Sequence, residues 1–97
     1  MSKLLSPAIF PRTRDRVKQL ADVLRVCETP QIKTHIMQKA NLTSVDADAR
    51  ILHLVNSRWL CVVEQDGKIA YLRTEEGTEF LRKFAELEEL TSREVFG

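Results

Sequence analysis

The dipeptide Asp66-Gly67 constrains this chain more than any other feature. A two-residue type I′ hairpin turn asks for Asn-Gly or Asp-Gly, because both central residues take positive φ. It is flanked by Leu60-Cys61-Val62-Val63-Glu64-Gln65 and Lys68-Ile69-Ala70-Tyr71-Leu72-Arg73, which read as two antiparallel strands. On either side of this hairpin the apolar residues return at steps of three and four, the period of amphipathic helices. With 97 residues there is room for one core and none for a barrel or a doubly wound sheet.

The helices follow from spacing and capping. Val17, Leu20, Ala21, Leu24 and Cys27 form one face of a helix predicted from an N-cap at Thr13 to about Glu28. Pro7 and Pro11 argue against a continuous helix before it. Thr29-Pro30 predicts a second start, with Thr29 as cap and Pro30 at the first helical position, followed by an inward stripe of Ile32, Ile36 and Ala40. After the turn Asn41-Leu42-Thr43, Thr43 and Asp46 resemble a capping box. A third helix is predicted to about Ser57, with Ala47, Ile51, Leu54 and Val55 on one side. Beyond the hairpin Thr74 caps a last helix, with Glu75 and Glu76 in its first turn, where the helix dipole favours them.

Helix, helix, helix, hairpin, helix is the order of a winged helix-turn-helix, and these loop lengths fit it better than other small α+β arrangements. The expected organisation is a basic N-terminal extension over 1–12, a winged-helix domain over 13–74 and a C-terminal helix over 75–97. In that last helix Phe80, Phe84, Leu87 and Thr91 make a seam, widened by Leu81 and Leu90. Running to Ser92, it spans ~27 Å, more than the core needs to cover. We therefore expect homodimerisation through Phe80, Leu81, Phe84, Leu87 and Leu90, in preference to packing back onto the first helix.

A formal net charge of +1 conceals a gradient. In residues 1–18 Lys3, Arg12, Arg14, Arg16 and Lys18 stand against Asp15, a balance of +4, whereas residues 74–97 set seven Glu against Arg82, Lys83 and Arg93, a balance of −4. A basic arm suits phosphate; on charge alone a solvated terminus is a slightly better reading. Two cysteines are too few for a disulfide scaffold, no apolar run reaches the ~20 residues of a membrane span, and the N-terminus lacks a cleavable signal. The expected location is cytoplasmic and nucleoid-associated, with no membrane partner.

The stretches TPQIKTHIMQKANLTS, ILHLVNSRWL and YLRTEEGTEFL resemble the small archaeal winged-helix DNA-binding proteins, a group that includes chromatin-associated members dimerising through a C-terminal coiled coil. The resemblance runs over residues 15–90 and rests on Thr34, Ile36, Met37, Ala40, Asn41 and Leu42 around the turn, then Ile51 and Leu54, then Tyr71, Thr74, Gly77 and Leu81. The T-x-I-M-x-x-A-N-L run is the more specific part; the L-x-T-x-x-G hairpin exit is common to many winged helices. It implies double-stranded DNA as partner. Two departures stand out: His35 occupies a position often basic in that group, and Asp46 and Asp48 sit near the start of the third helix.

In such a fold the third helix enters the major groove. The side opposite Ile51 and Val55 is read as offering Asp46, Arg50 and His53, with Val45, Ala49, Leu52 and Asn56 beside them. Arg50 is a candidate for a guanine edge, and an i,i+4 pair with Asp46 is an equal reading. For Val45, Ala49 and Leu52, packing against the wing or the apolar residues Leu4, Leu5, Ile9 and Phe10 is favoured over a protein interface. Candidate phosphate contacts are Gln31, Lys33 and Thr34 at the start of the second helix, Lys39, Thr43 and Ser44 around the turn, Lys68 at the wing tip, Arg73 at its base, and Arg12, Arg14 and Arg16 of the arm, with His53 beside Arg50 on the third helix.

Nothing in the sequence frames an active site: there is no Gly-rich phosphate loop and no nucleophile–base arrangement close in sequence. Cys27, His35, His53 and Cys61 lack zinc-ligand spacing, and both cysteines lie on apolar faces. Trp59 is read as a core anchor. No cofactor, metal or catalytic residue is expected. The function read from the sequence is DNA binding, as a transcriptional regulator or chromatin-type protein. A winged-helix protein-interaction module using Val45, Ala49 and Leu52 without DNA is the alternative.

Overall fold

The computed structural model describes the backbone of residues 9–96 and the side-chain surroundings of residues 15–90. Its elements, in order, are α1 (Ile9–Val26), α2 (Lys33–Ala40), α3 (Ser44–Asn56), β1 (Leu60–Gln65), β2 (Lys68–Arg73) and α4 (Glu75–Phe96). This is the α+β winged arrangement expected, with the hairpin in the expected register: Leu60 faces Arg73 and Gln65 faces Lys68. Asp66 at φ 54° and Gly67 at φ 77° supply the paired positive φ of the primed turn.

Each element begins and ends for a local reason. Thr43 caps α3, its hydroxyl accepting from the Asp46 N–H at 3.1 Å. Thr74 caps α4 by accepting from the Gly77 N–H at 3.1 Å, and donates to the Arg58 carbonyl at 2.8 Å. Asn41 ends α2 in the left-handed region at φ 57°, a conformation its short polar side chain tolerates. At the end of α3 the Arg58 N–H reaches the Val55 carbonyl at 3.0 Å and the Trp59 N–H reaches Leu54 at 2.9 Å. That closure puts Arg58 at φ 66°, where glycine is usual.

Two boundaries differ from the sequence reading. α1 starts at Ile9 rather than after Thr13, so part of the expected extension is helical. Pro11 falls in the first turn, where its missing N–H has no intrahelical acceptor to lose. Residues 1–8 lie outside the described residues. The second correction is larger: Thr29-Pro30 does not open α2. Gln31 instead exchanges backbone hydrogen bonds with Tyr71, N–H to O at 3.0 Å and O to N–H at 2.8 Å, an isolated antiparallel bridge to the wing. Ile32 stays extended at φ −81°, ψ 161°, and α2 begins at Lys33 with no side-chain cap.

The core gathers Leu20, Val23, Leu24 and Cys27 of α1 with Ile36, Leu42, Ala47, Ile51, Leu54 and Leu60, all buried. Such side chains contribute about 1.5–3 kcal/mol each when fully buried. Trp59 is the anchor expected of it, stacking on Phe80 with ring centroids 4.4 Å apart. Burial pushes the Cys27 thiol up to about 12, against a smaller opposing influence from Arg73, so it stays protonated at neutral pH. Cys61 is only half-buried on the hairpin.

Candidate nucleic-acid interface

The side of α3 that faces the core is defined by Ala47, Ile51 and Leu54. At 100° per residue, the direction opposite these three is held by Val45, Ala49, Leu52 and Asn56, all exposed. Val45 is 77% and Leu52 62% accessible. The expectation that Val45, Ala49 and Leu52 pack against the wing is therefore corrected, since they stand exposed as the outermost line of the helix; its other half, packing against Leu4, Leu5, Ile9 and Phe10, falls on side chains outside the described residues.

Arg50 also moves. It lies three residues after Ala47 and four before Leu54, so it sits on the flank of the buried face, half-buried, rather than outward. Its Nε is buried with no hydrogen-bond partner, and among the described residues it forms no ion pair with Asp46. Centring the helical wheel on Ala47, Ile51 and Leu54 rather than on Ile51 and Val55 places Arg50 correctly. His53 is exposed beside the outer line.

At the start of α3 the structure joins residues that the sequence reading kept apart. Lys33, the first residue of α2, puts its ammonium 2.7 Å from Asp48 Oδ1 and donates to Ser44 Oγ at 3.0 Å. The pair couples the N-terminal ends of both helices and offsets the charge of Asp48 on the face that would meet phosphate. As an exposed pair it contributes only ~0–1 kcal/mol to stability. Thr43 is spent on its cap, Gln31 on the wing and, through its amide, on Thr29 Oγ1 at 3.0 Å. Thr34 and Lys68 are exposed, the latter beside the hairpin turn.

Two expected phosphate contacts sit elsewhere. Arg73 points inward: Nε donates to Thr78 Oγ1 at 2.9 Å and Nη1 to the Leu24 carbonyl at 3.1 Å, so it ties α1 to α4 beneath the wing. Its place opposite the buried Leu60 explains this, since a guanidinium there meets carbonyls left at the end of α1. Lys39 lines a groove with Asp15, Lys18 and Asp22 of α1, a mixed-charge surface at the far end of α2 from Lys33. Arg16 is exposed on α1, and the side chains of Arg12 and Arg14 lie outside the described residues.

α4 divides along its length. Gly77 approaches so closely that a Cβ there would lie 2.4 Å from the Trp59 carbonyl oxygen. Phe80 and Leu81 pack on the core, and Phe84 stacks 6.1 Å from Phe80 with the Arg25 guanidinium 5.9 Å above it. Farther on, Leu87 and Leu90 are 62% and 54% accessible. So the first part of the expected dimer seam is occupied within one chain, and its continuation is exposed. No helix among the described residues is long and apolar enough to cross a membrane.

The winged helix-turn-helix family profile matches residues 13–92 of this sequence. The chain belongs to that family. Among solved structures, this winged helix-turn-helix chain is similar to Sso10a-2, a DNA-binding protein from Sulfolobus solfataricus, with a TM-score of 0.73 and 22% identity over 79% of this chain and 81% of that one. It is also similar to Bordetella bronchiseptica BpsR, at TM-score 0.69 and 12% identity over 100% and 83% of the two chains. TubR of Bacillus thuringiensis, solved bound to 24 bp of tubC, gives 0.64 and 13% over 88% and 98%. No curated protein matches the sequence.

Proposed function

We propose that this winged-helix protein is a DNA-binding transcriptional regulator or chromatin-type protein that acts as a homodimer in the cytoplasm. The observation that carries the reading is the position of α3: its outer line stands clear of the core while the wing, with Lys68 at its turn, projects from the same domain. In this arrangement α3 enters the major groove and Lys68, Thr34 and Arg16 meet phosphates, giving affinity without sequence information. Fold similarity to Sso10a-2 and to the DNA-bound TubR supports it. The exposed Leu87 and Leu90 on an α4 of ~33 Å support pairing of two copies, which presents two reading helices to one duplex.

A salt series of binding to a generic duplex, read by fluorescence anisotropy, tests this. Affinity should fall linearly on a log–log plot, with a slope of about −0.9 for each phosphate neutralised. Lys68→Ala should flatten the slope by about one unit, whereas an absence of binding at low salt contradicts the reading. The apolar outer line of α3 gives one specific reason to keep the protein-interaction reading beside it. That module would bind a protein through Val45, Ala49 and Leu52 and no DNA at any salt concentration.

A further inference from the structure

We infer that the outer line of α3 reads thymine methyl groups, so that Val45, Ala49 and Leu52 are specificity-determining residues selecting A·T-rich sites by apolar contact. The inference rests on the DNA-binding reading above and says what the reading helix reads. Among the described residues the outer line of α3 carries no guanidinium, because Arg50 is rotated to the flank of the buried face and Arg58 lies beyond the helix end. Bidentate recognition of guanine therefore has no donor on this line. What the line does present is a valine 77% accessible and a leucine 62% accessible, with an exposed alanine between them and an exposed Asn56 at its C-terminal end, whose amide suits adenine, the pairing partner of thymine.

The major groove offers one apolar group to such side chains, the 5-methyl of thymine. The spacing fits. From Val45 to Leu52 the helix advances ~10.5 Å, close to three base-pair steps of about 3.4 Å each. The nearest carboxylate, Asp48, is paired with the Lys33 ammonium, which also donates to Ser44 Oγ, and this limits its repulsion of the flanking phosphates. A protein partner or a second copy would also cover apolar side chains, but neither accounts for their position on the helix that the fold delivers to DNA.

The test uses two A·T-rich duplexes of identical sequence, one with thymine and one with deoxyuridine, which differ only in the methyl groups. The 97-residue chain should bind the thymine duplex about four-fold more tightly for each methyl buried. Leu52→Ala should shrink that ratio while leaving the salt slope and the melting temperature unchanged, since Leu52 is exposed. Equal affinity for the two duplexes overturns the inference and leaves DNA binding standing, and so does a ratio that Leu52→Ala leaves intact. Binding to neither duplex at low salt overturns the DNA-binding reading with it. Equal affinity together with dissociation of Leu52→Ala into monomers in sedimentation would assign the line to a second copy, again overturning the inference.

Discussion

α3 and α4 both leave apolar side chains in solvent, and they do so in opposite ways. On α4 the exposed Leu87 prolongs the face that Phe80 and Phe84 already bury, with Leu90 at its edge. On α3 the exposed Val45 and Leu52 lie on the side opposite Ala47, Ile51 and Leu54. A seam that runs past the end of its own domain suits the same seam of a second copy. A face that points directly away from the core has no continuity with any internal packing, so its partner is of another kind. The difference is the reason to propose self-association for α4 and DNA contact for α3.

The largest test of that division is Leu87→Glu combined with Leu90→Glu. Each leucine contributes about 1.5–3 kcal/mol when buried, so across two copies the double change should raise the dimer dissociation constant at least ~100-fold. Sedimentation should show monomers, while the thermal unfolding of the core and the methyl discrimination by α3 persist. If the wild-type chain is itself monomeric at micromolar concentration, the comparison fails on its α4 side.

Gly77→Ala probes the packed half of α4. The new methyl meets the Trp59 carbonyl, a backbone atom that cannot step aside as a side chain end would. We expect a loss of about 2–3 kcal/mol in urea unfolding. An unchanged midpoint would mean that α4 is not seated as closely as described. Arg73→Met is the next smaller effect. Removing its donors strands the Leu24 carbonyl and should cost about 1–3 kcal/mol. DNA affinity per folded molecule should stay unchanged; a lowered salt slope would return Arg73 to the phosphate contacts.

These particulars show what was legible in the chain. The hairpin, the Thr43 and Thr74 caps and the four helices were readable because each depends on neighbours in sequence: a turn dipeptide, a hydroxyl three residues before an N–H, an apolar period. The bridge at Gln31 was not, since its hydrogen bonds come from Tyr71, forty residues away. Arg73 was misplaced for the same reason, as its acceptor Leu24 belongs to α1, forty-nine residues earlier. The outer line of α3 was visible as a second apolar stripe, but its exposure depends on where α1 and the wing finally pack. The polar side chains around the turn read as phosphate contacts because they cluster in sequence, whereas the engagement of Lys33 with Asp48 and Ser44 is announced by no local pattern.

The smallest effect concerns the join between α3 and the wing. Arg58→Gly relieves a left-handed backbone at φ 66° and should stabilise the fold by about 0.5–1 kcal/mol. It should leave both dimerisation and discrimination between thymine and deoxyuridine as they are. A loss of DNA affinity would instead give Arg58 a phosphate contact at the end of the reading helix.

The division between α3 and α4 is tested most directly by mapping backbone amide shifts on titrating the full chain with an A·T-rich duplex. The expected result is a set of perturbations over residues 44–53 of α3 and at Lys68 of the wing, with Leu87 and Leu90 unmoved. Perturbations confined to α4, or an α3 that does not respond while DNA is bound, would contradict it.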